Sequence, residues 1–367
     1  MFANRKIRRR FCLVLVLMLM VCESACYYQQ AVVGQLSLLT DRQPIKRVIG
    51  NVETPDALKH KLKLVLEARQ FAEEKLHLPV GENYLAYTDL KRPYVVWAVY
   101  AAPEFSLKPV TWYYPVIGRS AYRGYFSENA ANRYARRLED KALDVYVAGV
   151  AAYSTLGWFD DAVLSTFINR SDTGIVALIF HELAHQLLYI PSDSMFNESF
   201  ATTVEWEGLR RWLVDQGNRA AFLQYERGQQ RRQQFIELVI RHRNRLEQLY
   251  ASQLPIEKKR VAKATIFDEM YGDYLTLKSK WGGYAGYDGW FERSLNNAKL
   301  ISVATYNDFV PAFMKILKST DGDLISFYDR CRELAQLPEE NRHRDLRQML
   351  EPIPMAGVHD RVVSYSQ

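Results

Sequence analysis

Residues 180–208 read FHELAHQLLYIPSDSMFNESFATTVEWEG, and both the fold and the chemistry of the chain turn on them. The apolar run IVALIF (175–180) leads into His181 and His185, four apart around Glu182, and Ile190-Pro191 marks where such a helix stops. Residues four apart stack on one helix face, so both imidazoles reach a single zinc ion. Glu182 falls on the flank of the pair, where a carboxylate takes a proton from an attacking water without being a ligand itself. Pro191 to Ser194 makes a turn, Ser194 is placed to cap a second helix, and Glu198 lies in its first turn, facing back toward His185. A catalytic zinc takes three protein ligands and keeps one position open. His181, His185 and Glu198 are therefore the expected set, holding one Zn2+ per chain. Thr202 and Glu205 follow on the same face, and either accepts the second imidazole N–H and fixes its tautomer. Glu207 falls off that face and is expected in solvent.

H-E-x-x-H alone arises by chance in a chain of this length at odds on the order of one in a hundred, and is then an ordinary packed histidine pair. The N-E-x-x-A that follows a short turn makes that accident far rarer. Working outward, residues 83–126 are rich in β-branched and aromatic residues broken by Pro and Gly, which predicts several strands of one sheet. A helix starts at Ser127, and DVYVAGV (144–150) and AYSTLGWF (152–159) follow as strands. In the latter, Ser154, Thr155, Leu156 and Gly157 form either a platform for an extended peptide substrate or a plain edge strand. Two helices precede the sheet, one ending before Pro44 and one opening at Thr54-Pro55 with threonine as cap. From Ser171 the chain reads as helical to its end. Its basic segment 224–260 keeps Phe235, Leu238, Leu246 and Leu249 at helical spacing, as a solvated amphipathic helix does. The expected architecture is α+β: residues 26–170 hold helices plus a mixed or antiparallel sheet, and residues 171–367 form the helical zinc-binding half, packed with the sheet as one unit.

The first ten residues carry Arg5, Lys6, Arg8, Arg9 and Arg10, and Phe11–Val21 is an apolar run too short to cross a bilayer as a stable helix. That is the layout of a secretory signal over residues 1–25. Ser24 and Ala25 before Cys26 resemble a bacterial lipobox, with Glu23 where an aliphatic residue is usual; the resemblance implies lipidation of Cys26. No Asp follows Cys26, which points to the outer membrane of a Gram-negative envelope, facing the periplasm. Removing residues 1–25 takes away five positive charges and Glu23, so the net charge falls from +6 to about +2. The basic balance is thus partly a targeting feature, and no nucleic-acid-binding motif accompanies it. Of four cysteines only Cys331 is left once the signal is removed and Cys26 lipidated, so no intramolecular disulfide is expected.

At these residues the chain resembles the gluzincin group of zinc peptidases: His181, Glu182 and His185 match its first motif, and Asn197, Glu198 and Ala201 match N-E-x-x-A. It departs from that group in two places. Twelve residues separate His185 from Glu198, a short connection, and Thr202 stands where an acidic residue is usual, which moves the role of orienting a ligand toward Glu205. Over nearly the whole mature chain the order YYQQAVVGQ, PVIGRSAYRGYF, AYSTLGWFDD, FHELAHQ, FNESFAT, YDGWF and NNAKL is similar to a bacterial family described as putative aminopeptidases, commonly lipoproteins.

These resemblances imply a peptide substrate and Glu182 as general base. Gluzincins add a tyrosine or histidine to stabilise the oxyanion. Tyr271, Tyr274, Tyr284, Tyr287, Tyr306, His242, His343 and His359 are available, and Tyr287, beside an Asp-Gly turn, is the first choice. Asn297, with Asn296, is placed to meet substrate backbone or to cap a helix. Asp160, Asp161 and Glu205 are the acids available to hold a substrate ammonium. The rival readings are a zinc-stabilised envelope lipoprotein acting through interactions, and a zinc amidase on cell-wall fragments. A structural zinc needs no Glu182, which favours the enzyme. The sequence carries no signal for oligomeric state.

Overall fold

The computed structural model describes residues 30, 34, 38, 40–114, 118–151, 160–292, 294–304 and 309–350. Cys26, the strand expected at 152–159 with Ser154 to Gly157, Tyr306 and His359 lie outside them.

The strands are β1 (Gln43–Pro44), β2 (Ala86–Thr88), β3 (Val96–Pro103), β4 (Trp112–Tyr114), β5 (Gly118–Ser120), β6 (Tyr122–Tyr125), β7 (Leu143–Val150) and β8 (Val163–Leu164). The helices begin with α1 (Ile45–Gly50), α2 (Asp56–Leu76) and α3 (Glu128–Glu139). They continue with α4 (Asp172–Leu187), α5 (Ser194–Asp215), α6 (Arg219–Ala251), α7 (Ile256–Lys280) and α8 (Asp288–Phe291), and close with α9 (Asn297–Ala304), α10 (Val310–Ser319), α11 (Leu324–Gln336) and α12 (Glu339–Leu350). The architecture is α+β, with small sheets in the N-terminal half and helices in the rest.

One sheet was expected across residues 83–126, and the described strands instead divide among three. The reason is how β3 is covered. Its residues from Val96 to Ala102 are all buried, and they alternate between two partners as a strand's side chains must. Trp97, Val99 and Ala101 pack with Ala131, Ala135 and Leu138 of α3, whereas Ala98, Tyr100 and Ala102 pack with Ala298 and Ile301 of α9. With a helix on each face and antiparallel β6 and β7 on its edges, that sheet is closed to β2. β2 pairs instead with β1 and, in parallel, with β8. Ser165 N then donates to Thr88 O at 3.0 Å, and the chain turns through Phe167 and Ile168 into α4. The β1-β2-β8 sheet therefore aims the helix that carries the histidines.

Helix α2 buries Leu62, Val65, Ala68, Phe71, Ala72 and Leu76, an apolar stripe at three- and four-residue spacing, and stops at His77 in the left-handed region. It opens after Pro55 with no side-chain cap, so the capping expected of Thr54 is corrected. Ser127 does cap α3, accepting from Ala130 N. The principal core joins α2, α4, α5, α10 and α11 through fully buried Leu62, Ile175, Phe180, Phe196, Phe200, Phe313 and Phe327.

The basic stretch 224–260 forms parts of two helices, parted at Ser252–Pro255. Phe235, Leu238, Val239 and Leu246 of α6 face Ile266, Phe267, Met270 and Tyr274 of α7, a second core that accounts for the periodicity. Among the described residues no helix is long and apolar enough to cross a membrane.

Candidate metal and active site

Ser171 caps α4 by accepting from Gly174 N, and the helix buries Ile175, Val176, Ile179, Phe180 and Leu183. His181, Glu182 and His185 project from the remaining surface. The turn that follows is built by its own side chains. Asn197 Nδ2 donates to Ile190 O and Ile190 N donates to Asn197 Oδ1, both at 2.8 Å, so one asparagine closes the loop from both sides. The cap of α5 is Asp193, one residue before the expected Ser194, and it accepts from Phe196 N at 3.0 Å. Glu198 consequently sits in the second turn of α5. Asp193 is itself held by Arg342 Nε and Nη2, at 2.8 and 2.6 Å, and lies 3.0 Å from His343 Nε2. Further along α5, Gly208 lets three helices approach: a Cβ there would stand 2.7 Å from Leu76 and 2.9 Å from Phe180.

The donors converge. Nitrogens of His181 and His185 and an oxygen of Glu198 all lie within 4.8 Å of one another. His181 Nδ1 donates to Glu205 Oε2 at 3.0 Å, which leaves Nε2 free, 3.3 Å from Glu198 Oε2. His185 Nε2 is 3.7 Å from Glu198 Oε1. Metal–ligand bonds of about 2.1 Å at tetrahedral angles set ligand atoms about 3.4 Å apart, so these spacings fit a tetrahedral ion. Of the two residues expected to orient His181, Glu205 does so; Thr202 is buried on the same helix. Tyr225 Oη in turn donates to Glu205 Oε1 at 3.3 Å.

Charge is concentrated here. Burial lowers His181, yet the carboxylates of Glu198 and Glu205 overcome it and hold the ring at about 10. Burial and the charge of His181 bring His185 down to about 4. Two carboxylates aimed at one imidazole are satisfied better by a dication than by a proton. Burial raises Glu182 to about 7, opposed by His181 and reinforced by Glu198 and Asp161. Tyr84, buried and at φ 60, donates its backbone N–H to Asp161 O at 2.7 Å. Burial pushes its phenol well above the ordinary range, and the charges of Glu182 and Asp161 add to this. Arg170, one residue before the cap of α4, exerts its charge on Glu205 and Glu182.

Other expected residues are placed elsewhere. Asn297 is fully buried and its side chain is fully used: it accepts from Tyr250 Oη and donates to Pro103 O and Glu104 O. It pins α9 to the end of β3, which corrects the substrate contact expected of it. Asn296 likewise donates to Val145 O. Glu207 is buried between Arg210 and Arg211, not in solvent, because the two arginines fold back over it at 2.7 Å. Tyr287 stacks on Phe235 with ring centroids 4.1 Å apart. Among the acids considered for a substrate ammonium, Glu205 is engaged by His181, Asp160 is exposed, and buried Asp161 acts on Glu182. Tyr84, Tyr225 and Arg232 were not anticipated. The signal for the last two was present: a three-residue connection containing Gly217 folds α6 straight back along α5.

An α+β chain with a histidine pair on one helix and a glutamate from the next helix at metal-binding spacing is a protein with a candidate metal centre. A family model described as "Putative aminopeptidase" matches residues 26–346, and the chain belongs to that family. Neither a curated protein nor a solved structure matches it.

Proposed function

We propose that this protein is a zinc-dependent peptide hydrolase acting as an aminopeptidase, with His181, His185 and Glu198 holding the metal and Glu182 serving as general base. The observation that carries the reading is the spacing of the three donors, with Glu182 beside them and outside the set. Family membership supports a peptide substrate.

Zinc, when bound, supplies Lewis acidity toward the scissile carbonyl and the attacking water. Glu182 takes the proton of that water at its carboxylate as the new C–O bond forms, and delivers it to the departing amine nitrogen as the C–N bond breaks. Glu205 holds His181 in the tautomer that turns Nε2 to the metal, and Tyr225 holds Glu205. Asp161 is the acid proposed to receive the substrate ammonium, on the Glu182 side of the site. Residues 1–25 are proposed as a signal and Cys26 as the lipidated anchor to the outer membrane, where the enzyme would meet periplasmic peptides.

The test is the purified full-length protein, zinc-loaded and offered aminoacyl amides, N-blocked peptides and cell-wall fragments in parallel. Turnover confined to substrates with a free amine supports the aminopeptidase. Turnover of cell-wall amides alone, or of nothing, removes it. Metal analysis should give about one zinc per chain, strongly reduced in His185→Ala and Glu198→Ala.

A further inference from the structure

Helices α5 and α6 run antiparallel across the turn at residues 216–218, where Asn218 N donates to Leu213 O at 2.9 Å. Two further points fix their register. Tyr225 meets Glu205 through its hydroxyl, and Ile236 shares with Met195 a cavity of about 350 Å³. Both helices rise by the same ~1.5 Å per residue. Seven residues on from Tyr225 along α6, and seven back from Glu205 along α5, Arg232 therefore stands opposite Glu198. Its charge acts on Glu198 and Tyr225, as this register requires, and on Tyr287, which stacks on Phe235 one turn along α6.

Arg232 is half-buried, and among the described residues its guanidinium makes no hydrogen bond or ion pair. The ion-pair contacts of Glu198 are with the two imidazoles. Among the described residues the five N–H donors of Arg232, in a planar fork that matches a carboxylate, are thus uncommitted at the level of Glu198. The amine end of a peptide carries a positive charge that an arginine repels; the carboxyl side is the one it attracts. One turn beyond, the cavity lined by Met195, Ile236, Phe309 and Pro311, with Gln233 and Arg347 as its polar members, is large enough for a side chain of the same substrate residue.

We infer that Arg232 binds a substrate carboxylate on the carboxyl side of the scissile bond, and so selects short peptides ending there or peptides with an acidic residue there. This rests on the peptidase proposed above and narrows its substrates.

The test compares alanyl-leucine with its C-terminal amide, and the amide of alanyl-aspartate with that of alanyl-asparagine. The first pair reports an α-carboxylate and the second an acidic side chain. Wild type should favour the charged member of at least one pair by about tenfold in kcat/KM, mostly through KM, the scale of one charge-assisted hydrogen bond. Arg232→Gln should abolish that preference and Arg232→Lys should keep part of it. A second readout needs no turnover: calorimetric titration of alanyl-leucine and of alanyl-aspartate amide into the zinc-loaded Glu182→Gln protein, with and without Arg232→Gln. The ligand of the favoured pair should bind about tenfold more weakly when Arg232 is replaced. An equal fall in kcat for charged and uncharged members would overturn the inference, since Arg232 would then serve the oxyanion. Binding of both ligands indifferent to Arg232→Gln would overturn it as well. If wild type cleaves none of these peptides, the peptidase reading fails, and the titration alone decides whether Arg232 holds a carboxylate.

Discussion

Glu205 decides which nitrogen of His181 faces the metal site. Its Oε2 accepts from Nδ1 at 3.0 Å, and its Oε1 is held by Tyr225, so turning the ring breaks a bond to a carboxylate that is itself fixed. Glu205→Ala should weaken zinc about 10- to 100-fold in a chelator competition, with a smaller loss in Tyr225→Phe. Equal zinc affinity in wild type and Glu205→Ala would mean that the ring is oriented by packing alone. At this scale the sequence was most informative where spacing does the work: His181 and His185 share a helix face, and the short turn after them brings Glu198 to both. It was least informative where a side chain chooses among neighbours. Thr202 and Glu205 share a face, and only the position of His181 separates them. Glu207 looked solvated because its two arginine partners, three and four residues on, were not weighed as a cover.

The turn between α4 and α5 carries Glu198, and it is locked from a distant part of the chain. Asp193 is buried and bonded to Arg342, itself buried on α12, with His343 beside it. Arg342→Ala leaves a buried carboxylate without its cation, which costs about 3–5 kcal/mol. Denaturant unfolding should register that loss, and zinc retention should fall with it because Glu198 is then poorly placed. A variant as stable as wild type would show that the lock is dispensable. None of this was legible locally: an Asp-Ser pair before a helix offers two caps, and the choice of Asp193 is made by residues about 150 positions away. The α5–α6 register, by contrast, was readable from the short Gly217 turn, once α6 was taken to begin at Arg219 rather than at Gln224.

Across the whole molecule, the α+β class and the division into a sheet-bearing and a helical half followed from composition and period. The division into three sheets did not. It depends on α9 returning from the C-terminal half to cover β3, a long-range choice that strand patterns do not encode. The cysteines carry a separate prediction at this scale. Cys331 is buried and unpaired, and burial raises its thiol well above the usual range. Cys26 is the proposed lipid site. Labelled palmitate should be incorporated into wild type and not into Cys26→Ser, and equal labelling of the two would contradict the anchor. The central claim is that the metal is catalytic, and Glu182→Gln tests it most directly because it keeps shape while removing the base. Metal content, melting temperature and hydrolysis are measured on one preparation. The account predicts about one zinc, an unchanged melting temperature and a fall in turnover of about 100-fold or more. Full activity in a zinc-loaded Glu182→Gln protein would contradict it.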